Sequence, residues 1–173
     1  EIILDSKTSI NQLQGEIMAL LGRFEDAKEV FTEAQNGALK LKNVPVQAEV
    51  LSALADIALK QGNLEDALSM HNDALKNFIE LGDATGAART YNNMGYLLRR
   101  KNDRSKALES YGEVETILEQ NDNIELISAQ LILARSFLDL GEIERARKHA
   151  LDAFEKSDNS ENQQIHARAQ AVL

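Results

Sequence analysis

Four turns, spaced almost evenly, constrain this chain more than any other feature. They fall at Gly22, Gly62, Asn102 and Gly141, at intervals of 40, 40 and 39 residues. Around each turn the same kinds of residue return. Five positions after it stands an alanine: Ala27, Ala67, Ala107 and Ala146. Twelve after it stand Ala34, Ala74, Val114 and Ala153, and seven before it stand Gly15, Ala55, Gly95 and Ala134. A fixed period of roughly 20–50 residues marks a repeat architecture, in which each copy is one supersecondary unit.

Within a copy the spacing is helical. Ala67, Met70, His71, Ala74, Leu75 and Phe78 recur at steps of three and four, which is one face of a helix. Gly or Asn at the turn suits a helix end, because both tolerate left-handed backbone. Asn43 with Pro45 two residues on reads as a helix start, and Asp83 and Asn123 can cap the later equivalents. Each copy is therefore predicted to be two antiparallel helices. First helices are expected at about 5–21, 45–60, 84–100 and 123–139, and second helices at about 24–41, 64–81, 104–120 and 143–156. Residues 160–173 read as the first helix of a fifth pair. The small residues mark where paired helices cross, since Gly or Ala lets axes approach to roughly 8 Å.

Composition narrows the class. Apolar residues make up 43% of the 173, enough to fill a core. The single proline, Pro45, fits a helix-rich chain, and the absence of cysteine excludes disulfides and thiolate metal sites. No apolar run approaches the ~18 residues of a membrane span, and no signal peptide is visible. An intracellular, cytoplasmic setting is the expectation. The net charge of -9 disfavours a phosphate backbone as partner, so no nucleic acid is expected to bind. That charge is uneven. Residues 1–87 carry 14 acids and 7 bases, net -7, whereas residues 88–173 carry 14 acids and 12 bases, net -2. An acidic partner would meet less repulsion in the second half.

The recurring columns, with the turn glycine, resemble the tetratricopeptide repeat family over roughly residues 5–157. The period near 40, against a family standard near 34, and linkers such as LGDATGAARTYNNMGY are similar to the longer repeats of kinesin light chain, Pins adaptors and Rap phosphatases. The resemblance implies an all-α fold: a right-handed superhelical solenoid of antiparallel helix pairs, four hairpins plus a terminal helix. The domain expected is a single one over 1–173, with repeats at about 5–43, 44–82, 83–121 and 122–158 and a partial copy at 159–173. It reads as a piece of a longer protein. The third turn departs from the pattern, with Asn102 for Gly and Arg104 for an apolar residue, so looser pairing or a more basic surface is expected there.

Stacked hairpins of this kind make a concave face. The resemblance implies that first helices line it, through residues 13, 10, 6, 3 and 2 before each turn. In the first copy these include Gln12 and Glu16, and in the second Ser52 and Asp56. The third gives Arg89, Asn92, Tyr96, Arg99 and Arg100, and the fourth includes Leu131 and Arg135. Arg89, Asn92, Tyr96 and Arg99 share one helix face, with Arg135 expected beside Tyr96 from the neighbouring helix. Arginines grip carboxylates or phosphates bidentately, and an aromatic ring adds apolar area with a polar tip. The competing reading is a solvated basic helix end at Arg99, Arg100 and Lys101, favoured by the helix dipole. Asn92 and Asn93 offer an amide pair to an extended peptide backbone, or a polar contact between adjacent helices.

The carboxylate clamp of chaperone-binding tetratricopeptide domains is missing, because only Arg89 matches it in type. No catalytic or phosphate-binding motif is present, and neither cofactor nor metal is expected. His71, on a core face, reads as a packed histidine. The function expected is an interaction scaffold that takes a protein or peptide, with an acidic segment, in its groove. The alternatives are the ligand- or peptide-sensing domain of a multidomain regulator, or self-assembly as a homo-oligomer through the terminal helix.

Overall fold

A computed structural model describes residues 2–121, 126–158 and 170. They fall into two compact units that divide between Asp83 and Ala84. The first unit holds α1 (Ile2–Leu20), α2 (Phe24–Leu41), α3 (Val44–Lys60) and α4 (Leu64–Leu81). The second holds α5 (Ala84–Arg100), α6 (Arg104–Gln120), α7 (Ile127–Asp139) and α8 (Ile143–Asp158). Helices pair as α1 with α2, α3 with α4, α5 with α6 and α7 with α8. The architecture is all-α antiparallel hairpins, and the predicted helix bounds are met within a few residues. The expected cap Asn123 lies outside the described residues. So does the terminal helix at 160–173, Gln170 aside, together with the self-association assigned to it.

The four turns are built identically. In each, the residue after the turn position donates its N–H to the carbonyl five residues back: Arg23 to Met18, Asn63 to Ala58, Asp103 to Leu98 and Glu142 to Phe137, all at 2.9 Å. This is the Schellman closure, which requires left-handed backbone at the turn. Gly22, Gly62 and Gly141 supply it, and Asn102 reaches φ 61° in the same way. Asparagine tolerates that region better than other side chains. The third turn is therefore not loosened by its missing glycine. Helix starts follow their caps: Asn43 accepts from the Val46 N–H and Asp103 from the Lys106 N–H, each at 3.2 Å.

The small columns are buried at the crossings. Ala27, Ala67 and Ala107 are inaccessible to solvent, and Ala146 nearly so. The columns also compensate one another. A Cβ on Gly15 would stand 2.7 Å from the Phe31 ring, and one on Gly95 would press still closer on the edge of the Tyr111 ring. Where the residue nine after the turn is smaller, His71 or Ala150, the position seven before it holds Ala55 or Ala134.

The units differ where one hairpin meets the next. In the first unit Ala27, Phe31 and Ala34 of α2 form one apolar cluster with Val50 and Ile57 of α3. Lys60 lies over the Phe24 ring at 5.3 Å, and Gln61 donates to Glu25 at 2.6 Å. In the second unit Tyr111 meets Phe137 edge-on with centroids 5.8 Å apart, and polar links surround that contact. Arg104 donates to the Leu140 carbonyl at 2.6 Å and pairs with Glu142 at 2.7 Å. The residue expected to loosen the third copy clasps it to the fourth.

Candidate interaction surface

The α5–α7 face of the second unit carries most of the residues singled out from sequence. The last turn of α5 holds Arg99 and Arg100, where positive charge complements the helix dipole. Arg99 reaches α7 and pairs with Asp139 at 3.2 Å, while its guanidinium lies 5.3 Å from the Tyr96 ring centroid. Arg99 therefore serves as a bridge between two first helices. Tyr96 stays 39% exposed beside it. Arg89, Arg100 and Arg135 are exposed. Arg100 and Arg135 have no ion-pair partner among the described residues. Arg135 was expected beside Tyr96; it occupies the same column of α7, six before its turn. Asn93 is half-buried and already engaged by neighbours.

One column departs from expectation. Ten residues before the turns stand Gln12, Ser52, Asn92 and Leu131, and the last three are buried. Asn92, 1% exposed, donates to the Ala129 carbonyl of α7 at 3.0 Å. Ser52, Asn92 and Leu131 are packing residues rather than open groove surface, and for Asn92 the interhelical reading is the one the geometry supports. The reason is helical phase, which turns Asn92 toward α7 and Leu131 toward Ala153 and Phe154 of α8. Gln12, half-buried, donates to Glu16 at 3.2 Å. Glu16 is exposed and Asp56 half-buried, so the first unit presents carboxylates in the column where the second presents Tyr96 and Arg135.

His71 is fully buried, and its Nε2 stands 3.6 Å from an Asp56 oxygen, in keeping with a packed core histidine. Sequence reasoning missed a second polar cluster. Glu115 of α6 binds Arg145 and accepts at 2.9 Å from His149 Nε2, both on α8. The His149 ring stacks on Phe137 at 5.7 Å, and Arg145 covers the same ring at 4.0 Å. Burial pushes the Glu115 carboxyl up, but its bonds to Arg145 and His149, together with their charges, outweigh that and hold it below the ordinary carboxylate range. Burial pushes the Tyr111 phenol up, opposed by Ser136 and Arg99 nearby. The only sequence sign of the cluster is that Arg145 and His149 lie four apart on one helix face. Among the described residues no group of three or more His, Asp or Glu could hold a metal, and no helix is long and apolar enough to cross a membrane.

Known structures share this arrangement. BtubC (BKLC) from P. vanneervenii is 19% identical with a TM-score of 0.76, the match covering 99% of this chain and 73% of that one. Aspartyl phosphate phosphatase F from Bacillus subtilis is 14% identical with a TM-score of 0.81, covering 96% of this chain and 44% of that one. A Rap protein complexed with competence and sporulation factor is 14% identical with a TM-score of 0.80, covering 96% and 46%. This chain thus spans less than half the length of the last two. At these identities the likeness is one of fold. No curated protein matches in sequence. The tetratricopeptide repeat model matches residues 8–80 and 46–120, most of the chain, and the first three turns with their crossing columns fall within those stretches. The chain belongs to the tetratricopeptide repeat family.

Proposed function

We propose that this chain is a protein-interaction scaffold and that the α5–α7 face of its second unit holds an extended peptide segment bearing carboxylates. One observation carries this reading: exposed Tyr96 stands next to exposed Arg100, and Arg135 occupies its column on α7, neither arginine having an ion-pair partner among the described residues. Unpaired arginines beside an aromatic are suited to carboxylate capture with an apolar anchor. Arg99 has a different role, since its pairing with Asp139 fixes the two helices under the ligand. The reading also sets a direction of specificity. A basic peptide would meet uncompensated like charge on this face.

The test is fluorescence anisotropy with labelled extended peptides of matched length, acidic, neutral and basic, against the chain and its Tyr96→Ala/Arg100→Glu/Arg135→Glu variant. The acidic peptide should bind best and lose at least about tenfold in the variant, roughly 1.4 kcal/mol. Circular dichroism should not change, because all three side chains are exposed. Equal binding of the acidic peptide by both proteins removes the site. A second reading, a sensing domain within a regulator, draws on the fold shared with the Rap protein in complex with its factor. It requires that occupancy of this face alter an attached domain.

A further inference from the structure

The first helix presents two opposite faces. Thr8, Asn11 and Gly15 are buried toward α2, whereas Ile10, Leu13, Ile17, Leu20 and Leu21 line the far side and are 53%, 58%, 57%, 87% and 69% exposed. Ser6 continues that stripe, and no charged residue interrupts it, since Asp5, Lys7 and Glu16 lie on its flanks by helical phase. The stripe leaves roughly 500 Å² of apolar side chain open, near the upper end of what a monomer ordinarily shows on one patch.

The repeat itself shows what such a face does. Ile10, Leu13 and Ile17 stand one period of 40 before Val50, Ala53 and Ile57. In α3 those three residues pack on Ala27, Phe31 and Ala34 of α2. The α1 stripe therefore has the columns of an established helix seam with nothing seated on it among the described residues. It differs from that seam at one end. Lys60 and Gln61 finish the α3 face and reach Phe24 and Glu25 of α2. Leu20 and Leu21 hold those places in α1 and cannot make such polar contacts. An α2-type surface would leave this end unmatched, whereas another uncharged apolar stripe would match it along its whole length.

We propose that the outer face of α1 is a self-association surface, on which two copies of this chain pair α1 against α1 in antiparallel fashion. The pairing sets Leu13 against Ile17 of the other copy and Ile10 against Leu20. The stripe is uncharged along its length and apolar from Ile10 to Leu21, so a two-fold axis near its middle satisfies both partners, the symmetry closed dimers most often adopt. Two such faces with their margins bury about 1,000 Å² in total, the lower bound for a specific interface, so a reversible dimer of modest affinity follows. This surface is separate from the α5–α7 face and does not depend on the peptide reading.

Sedimentation equilibrium over a wide concentration range tests the proposal, with the chain and its Leu13→Glu/Ile17→Glu variant side by side. The expected result is a monomer–dimer equilibrium for the first and a dissociation constant raised at least about 100-fold for the second, with unchanged helical circular dichroism. Because the chain lacks cysteine, Leu13→Cys and Ile17→Cys variants can be mixed under oxidation. Disulfides should form preferentially between unlike variants. A monomer at every concentration overturns the proposal, as does a dimer that the glutamates leave intact. Preferential like-with-like disulfides overturn the antiparallel pairing. If α1 instead gains hydrogen-exchange protection only when a copy of residues 4–43 is fused ahead of it, the face belongs to a preceding hairpin.

Discussion

The two units use the same hairpins and join them by different means. In the first, hairpin meets hairpin chiefly through apolar Phe31, Val50 and Ile57, with Lys60 over Phe24 and Gln61 bonded to Glu25 at one end only. In the second, the contact around Phe137 is bracketed by Arg104 with Glu142, Arg99 with Asp139, Asn92 with a backbone carbonyl, and Glu115 with Arg145 and His149. Burial of apolar area involves no ionisation, whereas ion pairs are screened by salt and lost where acid protonates their carboxylates. One repeat can thus be stacked with two chemistries, and the second unit should be the more responsive to conditions.

The largest expected effect lies in the apolar seam. Ile57→Ala should cost about 2–5 kcal/mol in urea unfolding, equally at low and high salt, because it leaves a cavity beside Phe31. A loss that shrinks with added salt would contradict the contrast. Acid should act on the other unit. The folded Glu115 carboxyl is held below its unfolded value, so its stabilisation is complete above the ordinary carboxylate pKa, roughly 4.3, and is lost as pH falls through the folded value. Glu115→Gln should therefore flatten the acid side of the stability curve. Hydrogen exchange in α6 and α8, followed from pH 6 downward, locates the change, and an unaltered acid slope removes Glu115 as its source. The smallest effect belongs to the clasp. A double-mutant cycle of Arg104→Ala with Glu142→Ala should give about 0.2–1 kcal/mol of coupling, and less in 1 M salt.

The hairpins were legible from sequence because what makes them is local. A turn residue able to adopt φ near 60–85°, a cap, and a small residue at each crossing recur within one period and need no knowledge of neighbours. The candidate surface was legible only by column. Arg89, Tyr96, Arg100 and Arg135 are exposed as that column reading expects, but Asn92, Leu131 and Ser52 are buried. That distinction depends on helical phase between elements nearly 40 residues apart. Arg104 shows the same limit. As a substitution for an apolar residue it reads as a weakness, and only the position of the Leu140 carbonyl makes it a fastener. The open face of α1 was not legible either, because its columns match a buried seam in the next copy.

The reach of these contacts has a consequence in time. The most distant side-chain hydrogen bonds named here, Asn43 to Asp5 and Arg104 to Glu142, each close a separation of 38 residues. Topologies whose contacts are this near in sequence have low contact order and fold in microseconds to milliseconds. Each hairpin can nucleate by itself, and its successor condenses on a template already formed. During synthesis, therefore, a freshly made copy needs only the one before it, and its apolar edge stays bare only until the next 40 residues have emerged.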